Sequence, residues 1–294
     1  MLIARLIADP NGLSARCDAV LTALLAAGTP ATVEILAELG EGVVQFAVES
    51  ADVSALRAVL DAHIAPSDAL IADHLPTIPR VFVSDMDSTM ITAECIDELA
   101  DYAGIKPQIA EITERAMQGE LDFAQALVGR VALLKDLPET AIAQCLAERI
   151  APMPGARVLV ATLKAKGCRT VLVTGGFHQF ADPVAEQLGF EHVVANRLDV
   201  ADGKLTGGLV GPICDSNTKK ATLLAELAVA GEGAAALATG DGANDIPMIE
   251  VASYGVAFCA KPKARAAANG WVDRGDLSAV LLLLGIAREE WVWE

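Results

Sequence analysis

The sequence predicts an α/β protein: a doubly wound, mostly parallel sheet, with an inserted helical block and a smaller α+β unit ahead of it. Three observations predict this. Beyond residue 152, short apolar runs alternate with amphipathic segments of helical length, the pattern of a parallel sheet covered on both faces. A short apolar run, 80–84, ends at acidic residues and is followed by helical periodicity over 91–150 with few turn signals. The first 79 residues read instead as strand, helix, strand, strand, helix, strand.

Each element follows from its own residues. Residues 2–8 are a short apolar strand, and 13–27 have helical spacing closed by Gly28. Strands 31–38 and 43–49 flank Gly40-Glu41-Gly42, a hairpin signal. Residues 53–63 form a second amphipathic helix, capped by Asp52 or Ser50, and 69–72 a last strand. The order βαββαβ is ferredoxin-like, and in element order alone it resembles the amino-acid-sensing modules known as ACT domains. Leu75-Pro76-Thr77-Ile78-Pro79 reads as a linker, which sets domains at 1–79 and 80–294. The helical block, about 91–152, ends at Pro152 and Pro154-Gly155 and reads as a cap inserted into a Rossmann-like core. Helix 156–166 then leads to strand 170–173, helix 178–188 to strand 193–194, and a hairpin surrounds Asp202-Gly203-Lys204. Helix 219–230 leads to strand 235–238, 247–252 is helical, 255–258 is a strand, and 264–268 is helical.

The bulk composition excludes several classes of function. Of 294 residues, 53% are hydrophobic and only 4% aromatic, so the core is built from Ala, Val, Leu and Ile. The mean hydropathy of +0.42 raises the question of a membrane. The longest uncharged runs, 19–33 and 277–287, fall short of the ~20 apolar residues of a spanning helix. Asp9 and Pro10 interrupt the N-terminal apolar run before a secretory segment develops. The formal net charge of −17 repels nucleic acid and anionic membranes. The six cysteines include no CxxC pair and read as reduced, buried thiols, which suits the cytoplasm.

Chemistry concentrates where strands end, the place at which open parallel sheets collect ligands. One strand end carries Asp85-Met86-Asp87-Ser88-Thr89, a second Thr174-Gly175-Gly176, and a third Gly240-Asp241-Gly242-Ala243-Asn244-Asp245; Lys219-Lys220 opens a helix. Asp85, Asp87, Asp241 and Asp245 brought together would repel one another and raise their pKa values. A hard divalent cation resolves this, and Mg2+ leaves room for a phosphate oxygen. Taken singly, each Asp reads as a turn or helix cap, Thr-Gly-Gly as a turn, and Lys as a solvated charge. Thr174 offers a hydroxyl, the glycines let backbone N–H groups approach an anion, and Lys219 brings a point charge.

In this order the segments resemble the four motifs of haloacid dehalogenase-like phosphotransferases, and within that superfamily the phosphoserine-specific phosphatases. The resemblance covers about 80–280 and also rests on Glu94-Cys95-Ile96-Asp97-Glu98, Glu114 to Phe123, Arg130-Val131, Ala195-Asn196-Arg197-Leu198 and Phe258-Cys259-Ala260-Lys261-Pro262. It implies hydrolysis of O-phospho-L-serine to L-serine and phosphate, the last step of serine biosynthesis. Asp85 would be the nucleophile and Asp87 the acid/base. Mg2+ would lie on Asp85, Asp241 and the backbone carbonyl of Asp87, with Asp245 acting through water or orienting the ligands. Thr174, Gly175, Lys219 and Asn244 would face the phosphate. Glu94 would meet the substrate ammonium, Arg130 its carboxylate, and Met117 and Phe123 would shape the pocket. Thr174 departs from the usual Ser but keeps the hydroxyl, and spacing to Leu223 favours Lys219 over Lys220.

Competing readings are hydrolysis of another small phosphomonoester, phosphoryl transfer to a second alcohol, and a sensor whose α/β part is an inactive scaffold. A homodimer and an amino-acid effector at residues 1–79 are further partners that this reading admits.

Overall fold

The protein is described by a computed structural model covering residues 1–117 and 120–293; the side chain of Met117 lies outside the described residues. The N-terminal unit runs β1 (Leu2–Ala8), α1 (Leu13–Ala26), β2 (Ala31–Ile35), β3 (Val43–Val48), α2 (Val53–Ile64) and β4 (Ser67–Ala72). Next come β5 (Val81–Ser84) and four helices, α3 (Cys95–Tyr102), α4 (Lys106–Met117), α5 (Phe123–Ala132) and α6 (Thr140–Arg149). The remainder is α7 (Ala156–Ala165), β6 (Arg169–Phe177), α8 (His178–Leu188), β7 (His192–Ala201), β8 (Lys204–Val210), α9 (Ser216–Ala230) and β9 (Ala236–Gly240). It ends with α10 (Ile246–Ile249), β10 (Tyr254–Phe258), α11 (Pro262–Ala267), β11 (Gly270–Val272), α12 (Ala279–Leu284) and a 3-10 turn, Arg288–Glu290. No helix among the described residues is long and apolar enough to cross a membrane.

Among the described residues the strands join one 11-stranded sheet, in the order β2-β3-β1-β4-β11-β10-β9-β5-β6-β7-β8. β5 is central, parallel to β6 on one side and β9 on the other. Val81, Phe82 and Val83 are fully buried, as expected of a parallel strand covered on both faces. The chain winds outward from β5 through β6 and β7, then returns to build β9, β10 and β11 on the opposite side. The crevice beside the carboxyl end of β5 is therefore the topological switch point of the sheet.

The N-terminal strands order as β2-β3-β1-β4, all antiparallel. In α2, Leu56, Leu60 and Ile64 recur every four residues and are buried against this sheet with Val20 and Leu24 of α1. Each such side chain contributes about 2 kcal/mol by leaving water. Two features lace this unit to the rest. β4 pairs antiparallel with β11. Trp271 of β11 is fully buried in the N-terminal core and donates its indole N–H to the Ser67 carbonyl at 2.9 Å. Arg57 and Arg265 lie 5.3 and 4.7 Å from its ring centroid.

Several boundaries differ from the sequence reading for local reasons. β2 stops at Ile35 because Leu36 and Leu39 turn inward and bury in the hairpin loop. β7 extends well past 193–194 because its polar residues face a hairpin with β8. β11 and α12 have no counterpart in that reading.

Candidate active site

Asp85 follows β5 directly and is 4% exposed; its N–H donates to the Thr239 carbonyl at 3.0 Å, which ties it to β9. Behind it, Thr239 Oγ1 donates to Ser84 Oγ at 2.7 Å, and Ser84 Oγ to the Asp85 carbonyl at 2.7 Å. The chain then turns sharply: Met90 and Ile91 both donate N–H groups to the Met86 carbonyl, and Ser88 takes a φ of 55°. That turn presents Asp87 to the crevice and lets Ser88 Oγ donate to Glu94 Oε1 at 2.8 Å.

Lys219 sits in the first turns of α9, whose N-cap Asp215 accepts from the Thr218 N–H. The Lys219 side chain is 1% exposed and its Nζ lies 2.6 Å from Asp85 Oδ1 and 2.7 Å from Asp245 Oδ1. Of the Lys-Lys pair, Lys219 is the one whose ammonium reaches these two carboxylates. Asp245 is sealed from solvent, and its other oxygen accepts the Gly242 N–H at 3.0 Å. Gly240 makes this approach feasible, since a Cβ there would stand 2.4 Å from Asp245 Cγ.

Asp85, Asp241 and Asp245 each place a carboxylate oxygen within 4.8 Å of the others, a group that could hold a metal ion. The electrostatics point the same way. Burial and then Asp245 push the Asp85 carboxyl well above its ordinary range, against the pull of Lys219. Burial and then Asp245 raise Asp241 to about 6. Burial and then Glu94 raise Asp87 to about 7, and its Oδ1 is buried with no hydrogen-bond partner. Burial pulls the Lys219 ammonium down, yet the facing carboxylates Asp85 and Asp245 raise it overall. Among the described residues, five carboxyl groups, Asp85, Asp87, Glu94, Asp241 and Asp245, stand against three cationic side chains, Lys219, Arg130 and Lys261; the surplus of negative charge is one that an oxygen-ligated divalent cation fits.

A cavity of about 120 Å³ opens over these groups, lined by Asp85, Asp87, Glu94, Phe123, Arg130, Thr174, Gly175, Asp241 and Asn244, among others. The sequence-predicted residues thus share one cavity or the ion pairs beneath it. The side chain of Met117 is the exception, because it lies outside the described residues. Asp122 caps α5 through a reciprocal capping box with Gln125, which aims Phe123 at the cavity mouth. A Cβ on Gly175 would meet Phe123 Cζ at 3.1 Å, so the cap helix closes onto the Thr174-Gly175-Gly176 loop. Gly176 N–H donates to Thr174 Oγ1 at 2.9 Å and fixes that loop. The sequence alone assigns no role to Ser88, Ile96, Leu127, Phe177 or Lys261, all of which border the site. Ser88, Ile96 and Lys261 each lie inside a run that carries the resemblance, at 85–89, 94–98 and 258–262.

The geometry has close counterparts. Residues 82–250 match the model of the haloacid dehalogenase-like hydrolases. A phosphoserine phosphatase of Streptomyces coelicolor is 43% identical over 252 residues, covering 84% of this chain and 61% of that protein, so the chain spans less than two thirds of this relative's length. A solved hydrolase of the same family from Salmonella enterica serovar Typhi superposes with a TM-score of 0.82 at 27% identity, over 97% of this chain and 99% of that one. A phosphoserine phosphatase solved as a phospho-aspartyl intermediate analogue superposes with a TM-score of 0.63 at 39% identity, covering 69% of this chain and 98% of that one.

Proposed function

The chain belongs to the haloacid dehalogenase-like hydrolase family, and we propose that it hydrolyses O-phospho-L-serine to L-serine and phosphate through a phosphoryl group carried on Asp85. One observation carries this reading: Asp85, Asp87 and Thr174 line the same small cavity as Glu94 and Arg130, with Lys219 and Asp245 directly beneath. Phosphoryl chemistry and recognition of an amino acid are thereby joined in one place.

Asp85, Asp241, the backbone carbonyl of Asp87 and, directly or through water, Asp245 would hold a divalent cation, magnesium in this proposal. Bound there, it neutralises charge and aligns the phosphoryl group. Lys219, 2.6 Å from Asp85, draws the raised carboxyl back toward its ionised form, and a cation bound beside it would do so further; the ionised carboxylate is the form that attacks phosphorus. Asp87, raised to about 7, carries a proton near neutrality and gives it to the serine oxygen as the P–O bond breaks. Ionised by that transfer, Asp87 takes a proton from the water that attacks the aspartyl phosphate, which restores both carboxyl groups. The Thr174 hydroxyl, the Gly175 backbone, Lys219 and Asn244 meet the charge that spreads over the phosphoryl oxygens. Glu94 pairs with the substrate ammonium, Arg130 with its carboxylate, and Phe123 and Met117 shape the remaining wall.

In this reading the reaction completes serine biosynthesis. The free cysteines support a reducing, cytoplasmic setting. The βαββαβ order and the strand order β2-β3-β1-β4 support an ACT-like unit at 1–79, ahead of a phosphatase domain at 80–294. An amino-acid effector at that unit and a homodimer stay within this proposal.

Phosphate release from a panel of phosphomonoesters tests the reading. O-phospho-L-serine is expected to be the best substrate. Equal kcat/KM on esters without an amino group would remove serine from the account. Label transfer to an added alcohol in place of water would favour the phosphotransfer alternative.

A further inference from the structure

The pairing of β6 with β7 contains an irregularity at the site. Val173 pairs with Val194, and the next registered pair is Phe177 with Asn196. Between them β6 runs Thr174-Gly175-Gly176 against the single residue Ala195. The surplus residues bulge out of the ladder, and a bulge re-aims side chains while leaving backbone groups unpaired. Here the bulge delivers Thr174 and Gly175 to the cavity.

Asn196 occupies the gap. It is 2% exposed. Its Nδ2 donates to the Gly175 carbonyl at 2.7 Å, and its Oδ1 accepts the Cys214 N–H at 2.8 Å. Cys214 immediately precedes Asp215, the N-cap of α9, and α9 carries Lys219. A single carboxamide therefore bolts the bulged loop to the entry of the lysine helix. The task needs a donor on one side and an acceptor on the other, which a neutral amide supplies and an aliphatic residue of the same size does not. Asn196 does not border the cavity itself.

We propose that Asn196 is a positioning residue for phosphoryl binding, holding the Gly175 backbone and the start of α9 in the mutual placement that a bound phosphate requires. The inference rests on the phosphatase reading only for the identity of the anion.

The test is calorimetric titration of inorganic phosphate into the full-length protein with Mg2+, for wild type, Asn196→Leu and Asn196→Ser, with kcat and KM for O-phospho-L-serine and p-nitrophenyl phosphate alongside. Thr170→Val serves as control: it removes a buried hydroxyl that bonds Glu191 at the opposite end of the same strand pair. Losing the two bonds should weaken phosphate about tenfold and lower kcat comparably on both esters. The ratio of their KM values should stay fixed, because the serine end of the pocket is untouched. Thr170→Val should lower the unfolding midpoint and leave phosphate affinity unchanged. Asn196→Ser, whose hydroxyl is too short to span both partners, reads the same loss should the leucine variant fail to fold. Wild-type phosphate affinity in the Asn196 variants, or an equal loss in Thr170→Val, would overturn the proposal. Failure of wild type on O-phospho-L-serine alone would count against the substrate, while the phosphate affinities still decide on Asn196.

Discussion

The Nζ of Lys219 lies 2.6 Å from Oδ1 of Asp85, with both side chains almost sealed from water. A buried ion pair is weak evidence of net stabilisation, but removing one partner leaves a charge stranded. Lys219→Met should therefore cost about 3 kcal/mol of metal-free stability at pH 8 by urea denaturation. The deficit should shrink toward pH 5 as the stranded carboxylates take up protons. Hydrolysis should be lost at every pH.

Asp87 gives a second pH dependence, and its sign is unusual for a carboxylate. Burial and then Glu94 raise its folded pKa from 3.8 to about 7. The folded state therefore binds this proton more tightly than the unfolded chain. The associated stability is fully present below about 4, declines as pH rises, and is gone above about 7. Thermal unfolding of metal-free protein, compared with Asp87→Asn, should show wild type gaining on the variant as pH falls from 7 to 4.

In the proposed reaction Glu94 meets the substrate ammonium, and its charge also helps to raise Asp87. Glu94→Gln should lower kcat/KM for O-phospho-L-serine by about tenfold or more through loss of the ammonium partner. It should have little effect on p-nitrophenyl phosphate at its optimum. Because Glu94 helps to raise Asp87, the pH profile for both esters should shift to lower pH. An unshifted profile would separate Glu94 from Asp87.

Trp271 tests how the N-terminal unit is held. Trp271→Ala should destabilise the protein by about 3 kcal/mol in denaturant titration, since it empties a buried site shared by α1, α2 and β11. Phosphate affinity should persist below the lowered midpoint, because Trp271 does not border the cavity.

Much of the site was legible in the sequence because it is local. An apolar run that stops at Asp85-Met86-Asp87-Ser88-Thr89 marks both a strand and the turn that follows it, and the helix at 178–188 appeared with its bounds intact. What stayed hidden depends on long-range pairing. Gly270-Trp271-Val272 is too short to show a period, and its role exists only because it meets β4, some two hundred residues earlier in the chain. The six residues of α12 are apolar throughout and so have no helical face to detect. Asn196 lies in the run 195–198 that carries the resemblance, but its task appears only where the bulge opposite and the entry to α9 give its amide two backbone partners.

The central claim is that Asp85 carries the phosphoryl group. Acid-quenched turnover with O-phospho-L-serine, borohydride reduction and peptide mass analysis test it directly. Asp85 should be converted to homoserine in wild type, with neither conversion nor hydrolysis in Asp85→Asn. Reduction at another carboxylate, or sustained turnover by Asp85→Asn, would contradict it.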